Sequence, residues 1–195
     1  MAESRIPTQK RSIEKRNKII EKGFELMCEK GYHNISTPDI ANAACVSTGI
    51  IYQYFNDKKE IFIEGCKYYS ENILYPMLNL IDNSNNLETI INDIIDAFIN
   101  NHITSKKAHE EIMAMSHLYS DVEDIFLNFE IELTNKIINL IGENNISNIN
   151  EKTHIFIGLI ENLCHEIIYH QHTNLNYDIM KKETINIILY ILKSK

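Results

Sequence analysis

From Thr48 to Lys58 the chain reads Thr-Gly-Ile-Ile-Tyr-Gln-Tyr-Phe-Asn-Asp-Lys, a run of short, polar and aromatic side chains. On a helix, Ile51 and Phe55 share one face and can anchor the segment to a core. Thr48, Gly49, Ile50, Tyr52 and Gln53 are then turned outward, and none of them is acidic. A face that offers amide, hydroxyl and phenol groups but no carboxylate suits a polyanion, because an unpaired acid in a phosphate-lined groove is repelled. Catalytic patterns are missing from the chain. There is no Gly-rich phosphate loop, no Ser/His/Asp order and no H-E-x-x-H, since after His165-Glu166 the next histidine, His170, falls one place late. His165, His170 and His172 lie close to Cys164 in sequence, yet neighbours on a helix point different ways and His165 to His170 is a poor spacing for shared ligation. No catalytic residue, metal or cofactor is expected.

The elements that must position this face follow from helical periodicity, which dominates the chain after Ser12. Ile13, Ile20, Phe24 and Met27 stripe a first helix over 13–30, stopped by Gly31. Thr37-Pro38-Asp39 supplies a capping hydroxyl, a proline at the first helical position and an acid in the first turn, which predicts a second helix to Ala44. Cys45-Val46 leaves room for a turn only, and Ser47 caps a third helix to about Phe55. Two short helices joined by so brief a turn make a helix-turn-helix over about 36–55. Asp57 with Glu60 resembles a capping box for a fourth helix reaching about Ile81, with Pro76 kinking its last turns. A polar loop, Asp82 to Asn86, precedes further helices at 87–103, 107–118, 121–141, 151–171 and 178–194. The expected fold class is therefore all-α, with about nine helices. It divides into a flexible basic arm (1–12), a DNA-binding domain (13–65) and a C-terminal domain (66–195).

Charge agrees with that division. The chain's net charge is −8, but residues 1–65 hold ten Lys/Arg against nine Asp/Glu, while residues 66–195 hold nine against eighteen. Only the field within about 10 Å matters at a phosphate backbone. Arg5, Lys10, Arg11, Lys15 and Arg16 concentrate positive charge at the N-terminal end. No window approaches the roughly 18 apolar residues that a membrane span needs. The start of the chain lacks a secretory h-region. Cys28, Cys45, Cys66 and Cys164 are scattered, as free thiols in a reducing cytoplasm would be.

The stretch from Gly31-Tyr32 through Ile40-Ala41-Asn42-Ala43-Ala44-Cys45-Val46-Ser47 to Tyr52-Gln53-Tyr54-Phe55 and Lys58 resembles the DNA-binding domain of the TetR family of regulators. The resemblance covers roughly 13–65 and implies a homodimer on double-stranded operator DNA. By position, Thr48, Gly49, Ile50 and Gln53 would face the major groove. Tyr52, Tyr54 and Lys58 would hold phosphates, and Thr37 would bond phosphate or base from a helix cap. Ile50 suits a thymine methyl and Gln53 the N6/N7 edge of adenine. For Tyr52 and Tyr54 the alternative is a half-buried core aromatic. Cys45 departs from the family, which has glycine there for a positive φ; a non-glycine residue costs on the order of 1 kcal/mol. A small residue that happens to fit is the plainer reading of that thiol than a redox switch.

The resemblance also implies a regulatory C-terminal domain whose last two helices pair with those of a second copy. Ile155, Leu159, Leu163 and Ile167 stripe one of them, and Ile185, Ile188, Leu189 and Leu192 the other. Stripes of this width must be covered by something. A small apolar or amphipathic ligand is expected among Phe98, His102, Met113, His117, Phe126 and Phe129, with ordinary core as the alternative for each. The implied function is a repressor that leaves a palindromic operator when the ligand binds. An activator or ligand-independent regulator of the same fold, or a helical adaptor without DNA binding, is the alternative.

Overall fold

The computed structural model describes residues 9–78, 86–141, 146–170 and 172–194. Among them every regular element is helical, so the chain is all-α. Residues 1–8 of the expected arm, most of the 82–86 loop and part of the Gly142–Asn150 connection lie outside the described residues.

Helix α1 spans Lys10–Lys30, starting earlier than the expected residue 13, and Gly31 ends it with φ 88°. A short 3-10 turn, Tyr32–Asn34, leads to α2, Thr37–Ala44. The cap of α2 is Ser36 rather than Thr37. The Asp39 carboxylate accepts from the Ser36 amide at 2.9 Å and also from its hydroxyl. Thr37 thus lies inside the first turn, next to Pro38. Helix α3 spans Thr48–Tyr54, and α4 spans Lys58–Tyr69. Asp57 caps α4 by accepting from the Glu60 amide at 2.9 Å, while Glu60 reaches the Asn56 amide at 2.7 Å.

The fourth helix is irregular ahead of Pro76, as expected, and its expected end at Ile81 lies outside the described residues. It loosens into a π turn at Ser70–Leu74 before a short α5, Tyr75–Leu78. Pro76 has no amide hydrogen and its ring crowds the preceding turn, so the helix widens upstream of it. The break expected around Thr104–Lys106 is present: α6, Leu87–Ser116, is two helical stretches joined across a kink at Ser105. Ser105 there has φ −119° and ψ 19°. The cause is local: Ser105 Oγ donates to the Asn101 carbonyl at 2.6 Å and Thr104 Oγ1 to the Asn100 carbonyl at 2.9 Å. Hydroxyls bonded back in this way compete with the backbone amides and bend a helix. Helix α7 spans Ser120–Ile141, and α8, Ile149–His165, continues as a π turn at Glu166–His170. Helix α9, Tyr177–Lys193, is capped by Asn176, which accepts from the Asp178 and Ile179 amides.

The chain forms two compact units, one of Met1–Asn72 with Lys106–Phe126, the other of Ile73–Ser105 with Leu127–Lys195. In the first, α1 packs on α2 and α4. Phe24, Phe62 and Tyr69 meet at its centre, with ring centroids 5.5 and 6.3 Å from Phe24. Gly65 lets α4 approach there, since any Cβ on it would collide with the Phe24 ring. In the second unit α8 packs on α9, and Ile91, Ile94, Ile95, Phe156, Ile160 and Ile188 are buried. No described helix is long and apolar enough to cross a membrane.

Candidate nucleic-acid interface

The turn between α2 and α3 is closed by two backbone bonds, Cys45 N to Asn42 O at 3.1 Å and Val46 N to Ala41 O at 2.9 Å. That closure puts Cys45 in the left-handed region at φ 57°, with its side chain exposed. At seven residues α3 is too short to hold itself by backbone bonds alone. It is nailed down by Ile51 and Phe55, which are 0% and 1% exposed. Gly49, Tyr52 and Gln53 consequently face outward, Tyr52 with 58% of its surface exposed, while Thr48, Ile50 and Thr37 are half-buried. No acid occurs on α3.

Two of the expected phosphate contacts are redirected. Tyr54 is 8% exposed, and its phenol bonds Ser12 Oγ at 2.9 Å. Three residues from Ile51, it follows the inward face and cross-links α3 to α1 instead of facing a phosphate. Lys58 turns back as well. Its ammonium donates to the Tyr32 and Ile35 carbonyls, both at 2.8 Å, and lies 4.3 Å from the Tyr32 ring centroid. An ammonium has several donors, and the carbonyls closing the 32–35 turn need partners, so half-buried Lys58 ties α4 to that turn.

Sequence reasoning missed the groups that hold the face in place. Arg16 pairs with Glu64 at 2.7 Å and lies over Phe55, 5.0 Å from the ring centroid. Burial would raise the Glu64 carboxyl, but bonds from Arg16 and Lys67 outweigh it and hold that group below the usual carboxylate range. Because Ser12 is tied to Tyr54, the first turn of α1 sits beside the end of α3 and leaves Lys10 and Arg11 exposed there. These two cations belonged, in the sequence reading, to a flexible arm.

A second set of bonds joins residues 106–126 to the same unit. Glu111 accepts from the Tyr32 amide at 2.5 Å, and Lys59 pairs with Asp121 at 2.7 Å. The Tyr32 and Tyr119 rings meet at 6.1 Å, and burial, with Tyr119 beside it, pushes the Tyr32 phenol up to about 12. Nothing local in sequence signals pairs so far apart along the chain.

The expected ligand-lining set is shared between the two units. Phe98, His102 and Phe129 are buried in the second unit, whereas Met113, His117 and Phe126 belong to the first. Met113 and His117 are exposed, because Ile112 and Met115 take the inward positions of that stretch of α6. The dimer stripes also need correcting. Leu163, Ile188 and Leu192 are 1%, 0% and 3% exposed within a single chain, so they are its own core. Ile155 stands half exposed at 50%, and Leu159, Ile167, Ile185 and Leu189 are half-buried. The apolar side chains most uncovered on α9 are Ile179, Ile187 and Tyr190, which the stripe reading passed over. Opposite them in kind, Gly158 on α8 has no atom within 4 Å of where a Cβ would sit.

Residues 19–64 match the model of the bacterial regulatory proteins of the tetR family. The chain is 48% identical over 48 residues to the HTH-type transcriptional regulator HbdR of Aromatoleum sp. (strain CIB), a match covering 25% of this chain and 21% of that protein. It is 25% identical over 120 residues to IcaR of Staphylococcus aureus, the HTH-type negative transcriptional regulator of the biofilm operon icaADBC, covering 56% and 62%. The chain thus spans less than two thirds of the length of either curated relative. A crystal structure of a TetR-family regulator from Mesorhizobium loti MAFF303099 shares the fold with a TM-score of 0.72, at 15% identity over 94% of this chain and 98% of that one.

Proposed function

We propose that the chain, whose residues 19–64 match the tetR family model and whose fold is shared with a regulator of that family, is a homodimeric repressor of the same family which grips a palindromic operator. The observation carrying this reading is the outward, acid-free face of α3, with Gly49, Tyr52 and Gln53 clear of the core and Lys10 and Arg11 beside it. Gln53 has the donor and acceptor to read an adenine, half-buried Ile50 suits a thymine methyl, and Tyr52 and the α1 cations meet phosphates. IcaR, the relative matched over the longer stretch, is by name a negative regulator, which favours repression over activation.

A second copy covers the α8/α9 face. Ile155, Ile179, Ile187 and Tyr190 are an apolar surface that its own chain leaves bare, and Gly158 leaves space for a helix to approach closely. A glycine inside a helix costs about 1 kcal/mol relative to alanine, so one that the chain's own packing does not require points outward. Two-fold pairing then sets the distance between operator half-sites. Buried Phe98, His102 and Phe129 are the side chains of the expected set best placed to meet a small apolar or amphipathic effector. An effector that binds one conformer of the regulator better by about 1–3 kcal/mol lowers operator affinity 5- to 150-fold.

Mobility-shift titrations with the DNA upstream of the protein's own gene test the proposal. A specific complex whose affinity falls steeply between low and moderate salt, and in which two chains bind one site, is the expected result. Absence of any specific complex there and in a selection from random duplexes would sink it.

A further inference from the structure

We propose that His102 of α6 and His165 of α8 form a binding site for a late first-row divalent metal ion, such as zinc, cobalt or nickel. Both residues belong to the second unit, and this inference does not rest on the DNA-binding reading. Sequence spacing gave His165 only poor partners along its own helix. The fold instead brings it an imidazole from a different helix, with ring centroids 5.5 Å apart and planes at 69°. Two histidines on one tetrahedral ion, with metal–nitrogen bonds of about 2.0–2.1 Å, hold their ring centres about 5 Å apart. Ligating nitrogens of the two rings lie within 4.8 Å of one another, so a small shift of either ring brings both onto one ion.

The ring of His102 is also oriented by its own helix: Nδ1 lies 2.9 Å from the Phe98 carbonyl, which can only accept, so that bond takes a hydrogen on Nδ1. A ligating histidine commonly donates its other N–H to a backbone carbonyl, which orients the ring and makes the ligating nitrogen a better donor.

Helix regularity breaks next to each ligand. Ser105 kinks α6 one turn after His102, and the π turn Glu166–His170 starts directly after His165. Single π turns inside helices recur at functional sites, because they redirect side chains that an unbroken helix would stack. Cys164 adds no ligand: it is 0% exposed, and as the neighbour of His165 on one helix it points another way. The pair supplies two nitrogen donors, with water or a small exogenous ligand completing the shell. Imidazole donors favour late first-row ions over calcium and magnesium.

A competing chelate lies nearby on the surface. The His170 and His172 rings are stacked at 6.0 Å, and His172 Nε2 is 3.5 Å from Glu166. Titration of the full-length, metal-stripped protein with cobalt, followed by its visible ligand-field bands, separates the two. One equivalent per chain is expected. Affinity should fall at least about ten-fold in His165→Gln and stay unchanged in the double variant His170→Gln/His172→Gln. Zinc should raise the thermal midpoint of the wild-type chain and leave that of His165→Gln where it was. His165 is half-buried, so that variant keeps the fold, which its far-UV helicity verifies, whereas a His102 variant opens the core. No cobalt bands up to millimolar ion, undiminished binding in His165→Gln, or loss of binding in the surface double variant would each overturn the proposal.

Discussion

The two units solve opposite problems. In the first, a seven-residue helix must hold one face rigidly outward, and side-chain bonds do the holding: Ser12 to Tyr54, Arg16 to Glu64, Lys58 to two carbonyls, Glu111 to the Tyr32 amide. In the second, α8 and α9 are seventeen residues each and pack along apolar stripes, with few ties such as Lys152 on the Ser194 carbonyl and Lys181 on Asp96, and one face stays uncommitted. Short elements need external anchors and long ones can spare a surface. For that reason the polar residues of the first unit were hard to assign by type alone. Tyr54 and Lys58 have the chemistry of phosphate ligands but are used as fasteners.

The largest test of this contrast lies in α9. Ile188→Ala removes a fully buried side chain and should cost about 2–5 kcal/mol in denaturant unfolding. Its neighbour Ile187→Ala, on the bare face, should cost under about 0.5 kcal/mol while weakening self-association in sedimentation. Equal effects on unfolding would erase the distinction between core and open face.

Next in size is the reading face itself. Gln53→Glu places a carboxylate where none stands and should weaken operator binding by about 1–3 kcal/mol with no change in thermal midpoint, since Gln53 is exposed. Tyr54→Phe should instead lower stability more than it alters the salt dependence of binding, because its hydroxyl is spent on Ser12. A changed salt slope in Tyr54→Phe would return that residue to the phosphates.

Smaller still is the Arg16–Glu64 pair, each side chain about a fifth to a quarter exposed. A double-mutant cycle with Arg16→Met and Glu64→Gln should give a coupling of about 1 kcal/mol. Glu64 is held below its unfolded value of 4.5, so this contribution is fully present above pH 4.5 and is lost as pH falls through the lower folded value. In the second unit the pH effect lies higher. His102 and His165 are held below the unfolded value of 6.5, so below it the unfolded chain binds more protons than the folded one. Melting of the second unit should therefore drop as pH falls from 7.5 to 5.5, and His165→Gln should flatten that drop. An unchanged slope would mean these imidazoles titrate normally.

The periodicity of the sequence was enough for the all-α class, for α1 to α3 and the start of α4 within a few residues, and for the turn at Cys45, whose left-handed backbone is what a position normally held by glycine demands. The direction of Tyr52 and Gln53 followed too, because Ile51 and Phe55 leave a helix only one way to face. What sequence could not decide was which edge of a wide apolar stripe is core. Leu163, Ile188 and Leu192 turn inward, and Ile179, Ile187 and Tyr190 outward, according to where the neighbouring helix lies. Nor could it find partners 42 or 79 residues apart, as in Ser12–Tyr54 and Tyr32–Glu111. Helical spacing is a local property set by backbone geometry. The choice of neighbour belongs to the packed chain, and only tertiary contact makes it.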